Sequence, residues 1–473
     1  MSGPSLEGLV ADPNASRELR AAADLFASSP GRWRVLYHND GDGIASASVA
    51  ALTLSRLGRS WQLSPLLGVE QAGVDRVLRA TRGPLLVVDT GSSFLDLFAA
   101  HDRPVIVLDH HVPPGVTPTA RSLAFVNPHH WGVDGMTELS ASMLTYLFAR
   151  ELLPGAFDLL AFGLSGAIAD RMHVGGFQGL NRKLIEEAQA RGALTRRSSL
   201  NLVGPSLEEA LASSLDPYFV GISGRIASAR TLLSSLGLPP TAPVGSLGEE
   251  EGRRLASALL SQLLTQGARP EFCERLREER IVLPHGGWEA NELSRWQNAC
   301  GREGEPSLGI ALALGDPGAH QRARELEARW RGEVLEGLER LEKKGALHRE
   351  PHLQWFEAPK PDLAGTIAGL ALAYFADPLR PIVALAPKGE AVKVSSRGTL
   401  WLTGQGLNLD RACREAAAAV GGEGGGHAVA SGATIPRGRE ADFLREAGRI
   451  VEGQIGGLHA PPSAESTAVP SSG

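Results

Sequence analysis

The sequence predicts an α/β fold: an N-terminal doubly wound, mostly parallel sheet and a smaller C-terminal α/β domain, joined by a helical insert and a connecting helix. Three observations carry this. Short, β-branched-rich apolar runs bounded by Gly or Pro recur through the first 200 residues, helical patterns separate them, and strand signals lapse near 205 and return only after 350.

The runs Val35–Tyr37, Leu85–Val88, Val105–Leu108 and Leu123–Val126 read as buried strands. Ala45–Leu57 and Glu70–Ala80 read as helices between them; Glu138–Leu152 and an apolar helix closing at Asp170 follow. Residues 205–290 read as a helical insert broken at Leu238–Gly248 and Pro284–Gly287, and 291–350 as a connecting segment with a long exposed helix, Arg322–Lys344. Strands return at Leu353–Phe356, Ile382–Ala386 and Ala391–Ser395, the last two flanking a hairpin turn at Pro387-Lys388-Gly389-Glu390. The expected domains are 1–204, 205–290, 291–350 and 351–457, with a disordered Pro/Ser/Ala tail at 458–473.

Composition sets outer bounds. With 473 residues, 43% hydrophobic and 21% charged, the chain is not disordered throughout, and 56 Gly with 30 Pro exclude an all-helical rod. The longest charge-free apolar stretch, Leu363–Ala376, falls short of the roughly 18–20 residues of a membrane span and reads as a buried helix. Met1–Arg20 has no secretory pattern, and Cys273, Cys300 and Cys413 form no metal or disulfide pattern, so a reducing cytoplasm is expected, with no membrane partner. A net charge of −6 means that nucleic acid, if bound, must meet a local basic groove.

The chemistry concentrates where strands end. Val35–Tyr37 runs into His38-Asn39-Asp40-Gly41-Asp42-Gly43, Leu85–Val88 into Asp89, and Val105–Leu108 into Asp109-His110-His111. Ligands of open α/β sheets bind at the carboxyl ends of strands, so these residues converge on one crevice, with Asp170 as a further contributor. An extended chain through His38, Asp40 and Asp42 points alternate side chains the same way, and Gly41 and Gly43 allow close backbone approach. Singly, Asp89 reads as a turn or cap residue and the 38–42 run as a turn; together they read as a site. Packed carboxylates need cations, and mixed carboxylate and imidazole donors suit Mn²⁺, with Mg²⁺ as the alternative. The expectation is two metals activating a water against phosphorus. His129 and His130, after Asn127-Pro128, read as surface-loop residues.

These motifs resemble the DHH phosphoesterase superfamily and, within it, RecJ-like nucleases of the archaeal, GINS-associated type. His38-Asn39-Asp40-Gly41-Asp42-Gly43, Val88-Asp89, Asp109-His110-His111 and Ala169-Asp170 are similar to its four N-terminal motifs; Asn298-Ala299-Cys300-Gly301-Arg302 resembles an Asn-Ala-x-Gly-Arg stretch of RecJ proteins, and Gly421–Ile435 the glycine-rich signature of the DHH-associated C-terminal domain. The resemblance implies one metal on His38, Asp40 and Asp89, and a second on Asp42, Asp89, His110 and Asp170, with Asp89 bridging. It implies that Asp109 orients the histidines and that His111 contacts the scissile phosphate, with Arg171 adding positive charge.

In the C-terminal domain, glycines ahead of a helix start would turn N–H groups of Gly424, Gly425 and Gly426 toward a phosphate beside His427; a flexible linker is the alternative from sequence alone. Arg380, Lys388, Lys393, Arg397, Arg411 and Arg414 outnumber Glu390 and Asp410, and Lys393, Ser395 and Arg397 are the expected contacts. The implied activity is metal-dependent exonucleolytic hydrolysis of single-stranded DNA or RNA, with the GINS complex and MCM helicase as expected partners. A short-oligonucleotide or cyclic-dinucleotide phosphodiesterase and a replication-helicase scaffold are the competing readings.

Overall fold

Side-chain alternation along three four-to-six-residue strands builds the first core. The structure is a computed structural model describing residues 12–66, 71–284, 287–343 and 345–456; the expected tail lies outside these. Val35, Tyr37, Leu86, Val88, Ile106 and Leu108 face one core, while Leu36, Leu85, Val87, Val105 and Val107 face the other. A sheet apolar on both faces must be covered on both.

Following the chain, α1 (Pro13–Ser28) precedes β1 (Trp33–His38), α2 (Gly41–Arg56), β2 (Trp61–Leu66), α3 (Gln71–Ala80), β3 (Leu85–Val88), α4 (Leu95–Ala99), β4 (Val105–Leu108) and β5 (Leu123–Val126). The strands pair in parallel in the order β2-β1-β3-β4-β5. Helices α1, α2, α5 (Ala141–Leu152), α6 (Leu160–Ala169) and α7 (Gly179–Ala190) contribute to one core, α3 and α4 to the other. Sequence patterning missed β2: Ser64 and Pro65 interrupt its apolar run, which an edge strand tolerates.

After β6 (Thr195–Leu200) come α8 (Leu207–Ala212), α9 (Ile226–Ser235), α10 (Glu249–Thr265) and α11 (Pro270–Cys273), then β7 (Arg277–Leu283), β8 (Trp288–Glu289), α12 (Ala290–Arg302), α13 (Pro306–Ala313) and α14 (Pro317–Leu341). Strands β6, β7 and β8 form a small sheet that polar Thr195-Arg196-Arg197-Ser198-Ser199 hid from patterning. The remainder holds β9 (His348–Arg349), β10 (Gln354–Glu357), α15 (Pro361–Tyr374), β11 (Ile382–Lys388), β12 (Ala391–Arg397), α16 (Leu400–Gly404), α17 (Leu409–Ala419), β13 (Glu423–Gly426), β14 (Ala430–Pro436) and α18 (Glu440–Ile455), with sheet order β13-β14-β12-β11-β10-β9. Among the described residues no helix is long and apolar enough to cross a membrane.

The chain divides into two compact units, 1–199 with 278–330 and 200–277 with 331–473. The segment 205–290 is thus shared between them, and the boundary between 330 and 331 falls inside α14.

The glycine-rich stretch corrects an expectation. The next element is strand β14, not a helix, and Glu423–Gly426 is itself an edge strand antiparallel to it. Burial alternates along Ala430–Pro436, the period of a strand, and that alternation decides the conformation.

Candidate metal centre

Sheet register sets the site. Tyr37 is opposite Val88, and Val88 opposite Leu108, so the next residues, His38, Asp89 and Asp109, emerge level from three adjacent strands. Asp40 then caps α2, its Oδ1 accepting from the Gly43 N–H at 3.0 Å. A Cβ on Gly43 would lie 2.1 Å from the His38 carbonyl oxygen, so the turn requires glycine there. Because α2 begins at Gly41, the extended alternation holds only for His38 and Asp40, which are 2.9 Å apart (Nδ1 to Oδ2). Asp42 lies in the first helical turn and is fully buried; its Oδ2 and Oδ1 accept from the Ala141 and Ser142 N–H groups at 2.8 and 3.1 Å. Those are the free donors that open α5.

Asp89 has φ 57°, one of two non-glycine left-handed residues among those described; the other is exposed Arg171, at 63° directly after Asp170. Such backbone costs roughly 1–2 kcal/mol, and both instances sit where the chain delivers these carboxylates. His110 Nδ1 is 2.7 Å from the Gly135 carbonyl oxygen and therefore carries the proton. Its Nε2 is left facing Asp89, Asp170 and Asp42 at 3.3, 3.7 and 3.9 Å. Asp109 turns away: it accepts from the Ser92 N–H at 2.8 Å and from His111 Nδ1 at 2.8 Å. Asn127 Nδ2 donates to the His111 carbonyl oxygen at 2.9 Å.

Three groups thus offer ligand atoms within 4.8 Å of one another: His38, Asp40 and Asp89; Asp42, His110 and Asp170; Asp89, His110 and His111. The donor set is hard oxygen and imidazole, and Asp89 Oδ2 is buried without a hydrogen-bond partner among the described residues. Both facts fit divalent cations.

Electrostatics point the same way. Burial opposes charge on His38, but Asp40 and Asp89 more than offset it and carry its pKa up to about 10. Burial, then the Asp89 charge, pushes Asp42 up to about 7, and burial with the Asp42 charge raises Asp170 well above its usual range. His110 is raised despite burial by Asp89, Asp170 and Asp42. Against burial, His111 holds Asp109 down at about 2, and that same hydrogen bond raises His111. Protons fill the place of positive charge here.

Several positioning residues gave no sequence signal. A Cβ at Gly135 would lie 1.8 Å from the His110 carbonyl oxygen, and one at Gly166 would lie 2.1 Å from Asp42 Oδ1. His130 is not a free loop residue: its Nδ1 is 2.9 Å from Glu18 Oε1, and Trp131 Nε1 donates to Glu18 Oε2 at 3.0 Å, tying the 3₁₀ turn Pro128–Trp131 to α1. His129 precedes it in the same turn, its Nε2 buried without a hydrogen-bond partner among the described residues.

The other expected contacts lie in the second unit. Ser395 opposes Gly432, which opposes Gly425, so Ser395 and the glycine strand flank one β14 residue. Lys393 and Arg397 share the Ser395 face of β12; Lys393 Nζ is 3.7 Å from Asp362, and the Arg397 guanidinium lies against Gly365 of α15. Gly424 packs on the Cys413 carbonyl, and His427 closes the β13–β14 turn, its N–H donating to the Ala430 carbonyl at 2.8 Å. The expected surplus of basic charge is largely neutralised. Arg414 pairs with Asp410, Arg411 with Glu415, and Arg380 with Asp377, while Asp410 also accepts from the Gly426 N–H at 2.8 Å. Spacing of four on α17 brings the first two pairs together.

Residues 33–166 match the DHH family, N-terminal domain, and 357–453 the DHHA1 domain. An uncharacterized protein of Methanocaldococcus jannaschii is 28% identical over 443 residues, covering 92% of this chain and 97% of that one. RecJ in complex with Mn²⁺ from Thermus thermophilus has a TM-score of 0.59 at 20% identity; the match covers 94% of this chain but only 56% of the RecJ chain. CDC45 from Entamoeba histolytica reaches 0.63 at 11% identity, covering 92% of this chain and 97% of that chain. The chain thus carries a DHH-family N-terminal domain and a DHHA1 domain in that order, within a fold similar to that of RecJ.

Proposed function

We propose that this protein is a metal-dependent exonuclease that hydrolyses terminal phosphodiester bonds of single-stranded DNA or RNA, with two Mn²⁺ as cofactor and Mg²⁺ as the substitute. One observation carries the reading: the carboxylate–imidazole groups His38–Asp40–Asp89 and Asp42–His110–Asp170 are joined through Asp89 and His110, which also group with His111. A complete donor set favours an enzyme over a scaffold.

His38, Asp40 and Asp89 would hold one cation, and Asp42, Asp89, His110 and Asp170 the other. When bound, the pair supplies an activated water and neutralises charge on the phosphoryl oxygens. The protein does the rest. Asp109 orients His111 through Nδ1 and raises its pKa, favouring the cationic form, so His111, 52% exposed, would meet the scissile phosphate, with Arg171 adding positive charge. Lys393, Ser395, Arg397, Gly424, Gly425, Gly426 and His427 would contact phosphates farther along the strand. The domain roles follow: 1–204 for chemistry, 205–290 for partners such as GINS and MCM, 291–350 as connector and 351–457 for the strand, in the cytoplasm.

Purified protein incubated with end-labelled single-stranded DNA and RNA should release short products in Mn²⁺ and none with chelator. Intact substrate in Mn²⁺ would overturn the reading.

Cation binding should also expel protons. Without a cation, His38, at about 10, is protonated at neutral pH and Asp42, at about 7, partly so, yet ligands bind deprotonated. Mn²⁺ affinity should therefore rise with pH, by about tenfold or more per unit between roughly pH 6 and 8. Calorimetry in buffers of different ionisation enthalpy counts the protons; affinity flat across that range would refute the charge state derived above.

A further inference from the structure

Helix α12 is pinned in register against the candidate metal centre. Gln297 is fully buried between two helices: its Nε2 donates to Ser48 Oγ of α2 at 3.2 Å, and its Oε1 accepts from Ser165 Oγ of α6 at 2.7 Å. One turn on, Gly301 touches the ligand loop, where a Cβ would lie 2.2 Å from the Asn39 carbonyl oxygen. These two anchors fix the residue between them, Asn298. A Cβ built on Gly41 would lie 2.7 Å from Asn298 Oδ1 and 2.5 Å from Ala169 Cβ. Asn298 therefore sits where α2 starts and α6 ends, beside the residues that carry Asp40, Asp42 and Asp170.

Its amide is unspent. Asn298 is half-buried and makes no side-chain hydrogen bond to another described residue, while its neighbour Gln297 uses both ends of its own amide. An amide without an internal partner, on a helix fixed in register, can donate to a group outside the protein. The orientation narrows its chemistry: Oδ1 is the amide atom nearest Gly41, which leaves the Nδ2 donor for an outside partner, and an N–H donor near the positive end of α2 suits an anion.

We infer that Asn298 donates its side-chain amide to a non-bridging oxygen of the scissile phosphate, holding that group over the Asp40–Asp42 side of the centre. This rests on the phosphodiesterase reading and adds a substrate contact from a helix remote in sequence from the metal-ligand motifs.

The test compares Asn298→Ala and Asn298→Asp with wild type on an end-labelled oligonucleotide, together with Mn²⁺ binding by calorimetry. Asn298→Ala should lower kcat/KM by roughly 10- to 150-fold, the loss expected for one hydrogen bond to a charged group, with Mn²⁺ affinity and stoichiometry unchanged. Asn298→Asp, isosteric but anionic, should be worse than alanine because it repels the phosphate. A packing role gives the reverse order, aspartate retaining more activity than alanine, and overturns the proposal; so does weakened Mn²⁺ binding by Asn298→Ala in step with lost activity. A wild-type protein that binds Mn²⁺ but cleaves no phosphodiester overturns the underlying reading instead.

Discussion

Asp89→Asn is expected to remove metal-dependent hydrolysis, lowering kcat by about 10³-fold or more, equivalent to roughly 4 kcal/mol of lost transition-state stabilisation. Asp89 belongs to both the His38–Asp40 group and the His110–His111 group, so no other single carboxylate touches as much of the centre. Asparagine is the informative replacement: it tolerates the left-handed backbone at φ 57°, where alanine would add strain of its own. The metal-free variant should melt close to wild type, because losing the Asp89 charge removes pairs with His38 and His110 but also relieves repulsion on Asp42 and Asp170. Retention of more than a few per cent of activity in saturating Mn²⁺ would exclude the bridging role.

The second large effect should come from a residue outside the proposed ligand set. In Gly166→Ala the new methyl meets Asp42 Oδ1 at 2.1 Å and Ser142 Oγ at 2.2 Å. Either α5 and α6 separate or the Asp42 carboxylate leaves its two N–H donors. Overpacking of this kind costs about 1–3 kcal/mol, and displacing a ligand from its supporting bonds lowers activity by about 100-fold. Calorimetry should show weakened Mn²⁺ binding and thermal melting a lowered midpoint. Wild-type values in both would mean that Asp42 does not depend on this contact.

What the sequence discloses is local. His38 ends β1, and Asp40, Asp89 and Asp109-His110-His111 follow their strands within three residues, so their shared position is legible from strand order alone. Asp42 reaches the expected side of the sheet for a different reason, since a helix start rather than an extended chain aims it. Gly135 and Gly166 are invisible in the sequence: each matters through approach to a segment far off in the chain, and a lone glycine does not say what it approaches. The glycines of β13 suggest a phosphate loop opening a helix, whereas the alternation in Ala430–Pro436 specifies a strand. The basic cluster looks like surplus charge only until α17 places Arg411 and Arg414 one turn from Glu415 and Asp410.

The anchoring of α12 has a consequence for how the protein matures during synthesis. Gln297 joins Ser48 across 249 residues, so the ligand loop and the helix behind it cannot acquire their final packing until most of the chain has emerged. At roughly 5–20 residues per second, that is a wait of about 10–50 s after Ser48 is made. The parallel sheet, whose strands all lie before residue 127, can assemble much earlier. Throughout the interval its carboxyl edge carries a cluster of acidic groups without their covering helix, so cation capture in the final geometry is a late event, timed by the emergence of the residues around 300.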